Sequence, residues 1–146
     1  MPAINYPDPI RIAAAVIVDH NGCMLLVRKR GTLCFMQPGG KRESGESALA
    51  TLARELKEEL GCDLHRAEFL GTFSAPAANE ASRCVEAALF HAEVSGEINP
   101  GAETDEVVWA KPLPVCAIPL APLTETRVFP LLRSRSLRHR IASSSA

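Results

Sequence analysis

One helix constrains this chain more than any other stretch. After Gly39-Gly40, the residues Leu49, Leu52, Ala53, Leu56 and Leu60 recur at helical spacing, and Gly61 follows them. At about 100° per residue they form an arc about 100° wide, which is expected to face a core. Glu55, Glu58 and Glu59 stand at i, i+3 and i+4, so three carboxylates share the neighbouring arc. That acidic arc is expected near the surface. Gly61 suits the position just past the helix end, and Ser44 or Gly45 suits its start.

The acids lie where a helix tolerates them least. They crowd the C-terminal half, where the backbone dipole is negative, and they repel one another by a few tenths of a kcal/mol per pair. Arg54 and Lys57 offset part of this, although Arg54 precedes Glu58 in the less favourable order. A divalent cation is the simplest missing partner, since hard Mg²⁺ or Mn²⁺ prefers carboxylate oxygens and keeps water and phosphate ligands. A solvated surface helix carries such clusters too. The Gly39-Gly40 entry adds weight to the metal, because glycine lets backbone approach a ligand closely. Neither G-x-x-x-x-G-K-[ST], G-x-G-x-x-G nor H-E-x-x-H occurs.

Around the helix the pattern is that of strands. Residues 10–18 are an apolar run broken only at Arg11, the mark of a strand buried on both faces. Asn21-Gly22 signals a hairpin into a returning strand over 23–30, whose basic end Arg28-Lys29-Arg30 could meet an anion or simply water. A short strand is expected over 33–37, and others over 67–73, 84–94 and 107–110, with loops over 74–80 and 95–104. Residues 123–137 read as a helix whose first turn holds Pro130 or which Pro130 kinks. Residues 1–9 read as a loose arm and 138–146 as a frayed tail, leaving one α/β domain over 1–146, a sandwich around a mixed central sheet.

The stretch from Gly40 to Cys62 resembles the signature of the Nudix (MutT-like) hydrolases. Gly40, Glu46, Arg54, Glu55, Leu56, Glu58, Glu59 and Gly61 each fall at the required spacing, and Cys62 replaces a final aliphatic residue. The resemblance covers 23 of 146 residues. It implies an α/β/α sandwich and Mg²⁺- or Mn²⁺-dependent hydrolysis of a nucleoside diphosphate linked to another moiety. By the same resemblance Glu58 and Glu59 are metal ligands, Glu55 is a further ligand or the base, and the Gly39 carbonyl completes the shell. Arg54 orients the glutamates, and Glu46 supports the loop or, more distantly, a metal. Glu103 is the best candidate for a base on a later loop, with Glu106 second.

For substrate contacts the expectations are Arg28, Gly40 and Phe35, the last as a stacking surface for a base or else as core. The short chain leans toward a (d)NTP pyrophosphohydrolase. ADP-ribose or a nucleotide sugar is the alternative, and a catalytically silent binding module of the same fold is a third reading. A formal net charge of −1 argues against a nucleic-acid polymer as partner. No apolar run reaches the roughly 18 residues of a membrane span, and no secretory signal is visible, so the expected compartment is the cytoplasm. A homodimer is compatible with the resemblance. The five cysteines form no metal or disulfide pattern and are expected as buried free thiols. His20, His65, His91 and His139 are expected at the surface or in turns.

Overall fold

A computed structural model describes residues 8–134. The expected tail, the end of the C-terminal helix, His139 and all but two residues of the arm lie outside the described residues. In chain order the elements are β1 (Ile10–Val16), β2 (Met24–Lys29), β3 (Phe35–Met36), β4 (Gly39–Lys41), α1 (Ala48–Leu60), β5 (Asp63–Pro76), β6 (Cys84–Ser95) and β7 (Thr104–Ala110). A π-helical turn, Thr124–Val128, then runs into α2 (Phe129–Arg133).

The strands form a four-stranded mixed sheet, β4-β1-β6-β5, and a three-stranded antiparallel sheet, β3-β2-β7. Strand β1 is the pivot, parallel to β6 and antiparallel to β4. Its apolar run is buried on both faces, as the sequence predicts. Ala13, Ala15 and Ile17 pack with Leu52, Leu56 and Leu60 of α1, whereas Ala14 and Val16 pack with Val128, Phe129 and Leu132. Period-two alternation thus splits one strand between two cores, giving the α/β/α sandwich.

The hairpin expected at Asn21-Gly22 takes a different form. The turn closes, with the Asp19 side chain accepting from the Asn21 and Cys23 amides at 2.9 Å each. Beyond it the arms are joined by a single bridge, Val18–Met24, made by bonds from the Asp19 amide to the Cys23 carbonyl and from the Leu25 amide to the Ile17 carbonyl. The two strands then diverge into different sheets. Strand β5 also outruns its expected end, since Ser74, Ala75 and Pro76 pair with Glu86, Val85 and Cys84.

Pro130 is accommodated by a wide turn. It lacks an amide proton and its ring crowds the carbonyl four residues back. The chain widens just ahead of it: Phe129 N–H bonds to the Thr124 carbonyl, five residues earlier, and Pro130 opens α2.

Other expectations need correction. Helix α1 starts from Ser47, whose hydroxyl accepts from the Ala50 amide at 3.1 Å, rather than from Ser44 or Gly45. Its buried face is rotated toward the acids: Leu49 is 48% exposed and Ala53 is exposed, while Thr51 and Glu59 are buried. The cause is β4, whose glycine backbone lies along that flank and leaves room for polar side chains. Of the cysteines only Cys62 is fully buried, and Cys84 is exposed; all five are free. His91 is buried in β6, and burial holds its imidazole below the usual range. No helix among the described residues is long and apolar enough to cross a membrane.

Candidate active site

The Gly39-Gly40 strand and the last two turns of α1 form one polar surface. Gly39 adopts φ +150°, and a side chain there would collide with the Ala13 carbonyl of the neighbouring strand. At Gly40 a Cβ would occupy the space of the Glu55 carboxylate. Gly39 is therefore required by the close approach of backbone, while Gly40 leaves the Glu55 carboxylate its place. The Ala15 amide bonds the Pro38 carbonyl and the Arg42 amide bonds the Arg11 carbonyl, which puts the Ala14–Gly39 pair between ladder bonds. The Gly39 amide and carbonyl are thus free to face away from β1, and the amide donates to Glu59 Oε1 at 3.0 Å.

Glu59 is the unusual member. It is buried, its Oε2 has no hydrogen-bond partner, and its pKa is raised from 4.5 to about 7. Desolvation is the main cause, and the adjacent Glu55 carboxylate adds to it against the opposing pull of Lys29 and the Gly39 amide.

Arg54 organises the remaining acids. Its Nε and Nη2 donate to the two oxygens of Glu46 at 2.7 and 2.9 Å, and its Nη1 donates to Glu55 Oε1 at 2.9 Å. Nη2 also reaches the Lys41 carbonyl at 3.1 Å. Glu46 further accepts from the Thr51 hydroxyl at 2.7 Å and the Glu43 amide at 3.0 Å. These donors, Arg54 first, hold its carboxyl at about 2. Glu46 in turn pushes the Arg54 guanidinium pKa upward. Glu58 is mostly exposed, with Oε2 3.6 Å from Arg54 Nη1.

The end of α1 is fixed by the loop over 95–104, for which the sequence predicts a candidate base, Glu103, but no part in holding the helix. Asn99 N–H bonds the Leu60 carbonyl at 2.7 Å, while Gly101 N–H and the Thr104 hydroxyl bond the Glu59 carbonyl at 2.8 and 3.3 Å. Groups left open by the helix end are thereby satisfied, and the turn bearing Glu58 and Glu59 is locked. Glu103 sits in this same loop, exposed, with its carbonyl accepting from the Arg30 amide.

The expected substrate residues are placed unevenly. Gly40 lies at the centre of the site. Arg28 is engaged elsewhere, bonding Glu106 at 3.2 Å, Asp105 at 3.4 Å and the Thr32 carbonyl at 3.0 Å, and lying 6.0 Å over the Phe35 ring. Phe35 is a core residue, 5% exposed. The next residue on β2, Lys29, instead lines a cavity beside Gly39 and Gly40. The register of β2 against β7 shifts between Arg28 and Lys29, so simple alternation along the strand could not have separated their directions. That cavity, of about 130 Å³, is also lined by Gln37, Lys41, Asn79 and Glu80, with Ile12, Ala14 and Leu123 among its apolar walls. Lys41 Nζ meets Glu80 at 2.8 Å. None of Gln37, Asn79 or Glu80 belongs to a spacing pattern that a single sequence displays.

Among the described residues no three acidic, histidine or cysteine side chains are already gathered into a metal cage. The donor set nevertheless fits a hard divalent ion: a buried carboxylate oxygen without a partner on Glu59, Glu55 beside it, and Glu58 held at the edge by Arg54 alone.

The chain is similar to several known proteins. An ADP-ribose pyrophosphatase of Methanocaldococcus jannaschii is 28% identical over 103 residues, 69% of this chain but only 61% of that protein's length. A Bacillus subtilis protein provisionally named 8-oxo-dGTP diphosphatase is 27% identical over 111 residues, 73% of this chain and 71% of its own. Among solved structures, the MutT protein of Bacillus halodurans superposes with a TM-score of 0.67 at 30% identity, covering 86% of this chain and 83% of its own. The NUDIX domain model matches residues 8–132, and together with the α1 carboxylates and the glycine strand beneath them this makes the chain a member of the NUDIX domain family.

Proposed function

We propose that this protein hydrolyses the pyrophosphate bond of a nucleoside diphosphate derivative, with a (d)NTP as the favoured form, and requires Mg²⁺ or Mn²⁺. The observation that carries the reading is Glu59: a buried carboxylate, bonded on one oxygen and open on the other, has reason to exist beside Glu55 if a cation completes it. Glu55, Glu58, Glu59 and the Gly39 carbonyl would hold that cation. When bound, it would neutralise the pyrophosphate oxygens and lower the pKa of a water.

The chain's own residues do the rest. Arg54 holds Glu55 and Glu58 against Glu46 so that their carboxylates keep one orientation. Gly40 leaves the Glu55 carboxylate room against the strand. A carboxylate facing the attacking water accepts its proton, either Glu55 or Glu103. Arg28 is already neutralised by Asp105 and Glu106, and Lys41 by Glu80, so Lys29, which lines the cavity, is the better cation for the substrate's phosphates.

The purified protein, assayed with Mg²⁺ against (d)NTPs, 8-oxo-dGTP, ADP-ribose and UDP-sugars, tests this. Turnover of at least one is expected, a (d)NTP giving a nucleoside monophosphate and pyrophosphate, and ADP-ribose or a UDP-sugar giving a nucleoside monophosphate and a sugar phosphate. No turnover on any of them, with metal binding demonstrated, would identify a binding module on the same fold. The name of the archaeal relative favours ADP-ribose as the second reading.

A further inference from the structure

The cavity beside Gly39-Gly40 is small and largely apolar. At about 130 Å³ it is below the roughly 300 Å³ of pockets that enclose a whole drug-sized ligand, so it suits one ring system with the phosphates left outside. Its position fits that division, because Gly39 and Gly40 line it and also touch the carboxylates of α1.

Within this lining Gln37 is 4% exposed, and its Nε2 has no hydrogen-bond partner. Its Oε1 accepts from the hydroxyl of Thr124 at 3.1 Å, and Thr124 is fully buried. A buried amide nitrogen left without an acceptor is a costly feature. A ligand acceptor in the cavity removes that cost. Because Oε1 is committed to Thr124, the amide offers the ligand donors only. An adenine read by glutamine uses both ends of the amide, the oxygen taking N6–H and the nitrogen giving to N7. With the oxygen taken, adenine could accept only at a ring nitrogen and its neighbouring amino group would lack an acceptor, whereas a carbonyl oxygen on a base needs the nitrogen alone.

We infer that Gln37 is a specificity-determining residue whose Nε2 donates to a carbonyl oxygen of the substrate's base, favouring guanine, its oxidised form or a pyrimidine over adenine. This rests on the function proposed above. The side chain is anchored from behind by Thr124, in the widened turn ahead of Pro130, so the donor is held in place before the ligand arrives. Preorganisation of this kind turns one hydrogen bond into discrimination.

Two measurements test it, one of which does not depend on catalysis. The first is kcat/KM for each natural dNTP and 8-oxo-dGTP; the second is calorimetric binding of the corresponding nucleoside monophosphates without metal. The wild-type protein is expected to prefer its best carbonyl-bearing base over adenine by about tenfold, mostly in KM or Kd. Gln37→Met should bring that ratio toward one. Gln37→Glu keeps an oxygen for Thr124 but loses the donor, and should lower the ratio as well. A wild-type preference for adenine, or an unchanged ratio in a folded variant, overturns the inference, and the wild-type ratio decides if neither variant folds. Absence of hydrolysis with a Gln37-dependent binding preference would sink the proposed activity alone. Hydrolysis without that preference would sink only the role of Gln37.

Discussion

The Gly39 amide donates to Glu59 Oε1 at 3.0 Å, while Glu59 Oε2 is buried and meets no donor. One backbone bond is too little to offset the desolvation of a carboxylate. The position is held because the fold around it is over-determined. A side chain at Gly39 is barred by the Ala13 carbonyl, and the last turn of α1 is tied down by Asn99, Gly101 and Thr104.

The metal-free protein should therefore lose stability as pH rises. The folded-state pKa of Glu59, about 7, lies above its ordinary 4.5, so between these values the folded chain keeps a proton that the unfolded chain gives up. Its contribution is fully present below about 4.5 and lost as pH climbs through 7, amounting to about 3 kcal/mol. Urea denaturation at pH 5 and pH 8 in the presence of a chelator measures it. Glu59→Gln, which keeps an acceptor for the Gly39 amide, should remove this part of the dependence. Equal slopes in the two proteins would show that Glu59 is not the source.

Glu58→Gln separates chemistry from folding. Its side chain is 61% exposed and meets Arg54 at a loose 3.6 Å, so stability should change by less than about 0.5 kcal/mol. Turnover should fall by at least about 100-fold, with weaker metal binding. Titration of Mn²⁺ followed by melting reads the metal term: the wild-type protein should melt higher with millimolar metal, and the variant should shift less. Near-normal activity in Glu58→Gln would remove it from the ligand set.

Much of this site was legible because its parts are close in sequence or obey a period. The carboxylates of α1 announce themselves by i, i+3, i+4 spacing, and the two-faced burial of β1 by the apolar run that follows Arg11. Arg54 is legible as an organiser, but that Glu46 is its strongest partner is not, because the sequence points Glu46 only to the loop or to a distant metal. What could not be read depends on contacts between distant segments. The rotation of α1 that buries Thr51 and Glu59 and exposes Leu49 is set by β4, whose glycines carry no hydrophobic signal. The pairing of Gln37 with Thr124, 87 residues apart, and the capture of Arg28 by Asp105 and Glu106 arise only once the sheets are assembled. Arg28 was attractive as a phosphate ligand because a strand end looks free until its neighbour strand is known.

Arg54→Lys tests the organiser. Lysine keeps the charge but cannot bond both oxygens of Glu46 while reaching Glu55. Activity should drop about 10- to 100-fold, as when groups that orient metal ligands are removed, without loss of the native circular-dichroism spectrum. Acid behaviour gives a second reading. Glu46 titrates at about 2 in the folded state rather than at 4.5, so its stabilisation is present above 4.5 and lost as pH falls toward 2. Glu46→Gln should unfold with a shallower pH dependence in that window. An unaltered acid profile would mean that the Arg54–Glu46 pair contributes nothing in solution.

The two glycines of β4 should fail in different ways when each is given a methyl group. At Gly39 the obstacle is backbone, the Ala13 carbonyl and the Ala14 Cα, and the φ of +150° is itself unsuited to alanine. Strand pairing must yield, so Gly39→Ala should destabilise the protein by about 2–4 kcal/mol or prevent it from folding. At Gly40 the obstacle is the carboxylate of Glu55, the end of a flexible side chain. Gly40→Ala should keep most of the stability, within about 1 kcal/mol, but displace Glu55 from Arg54 and Glu59 and suppress turnover strongly. Paired denaturation and activity measurements on the two variants read the difference. If Gly40→Ala retained full activity, Glu55 would not need its present position for the reaction, and the proton-accepting role would pass to Glu103.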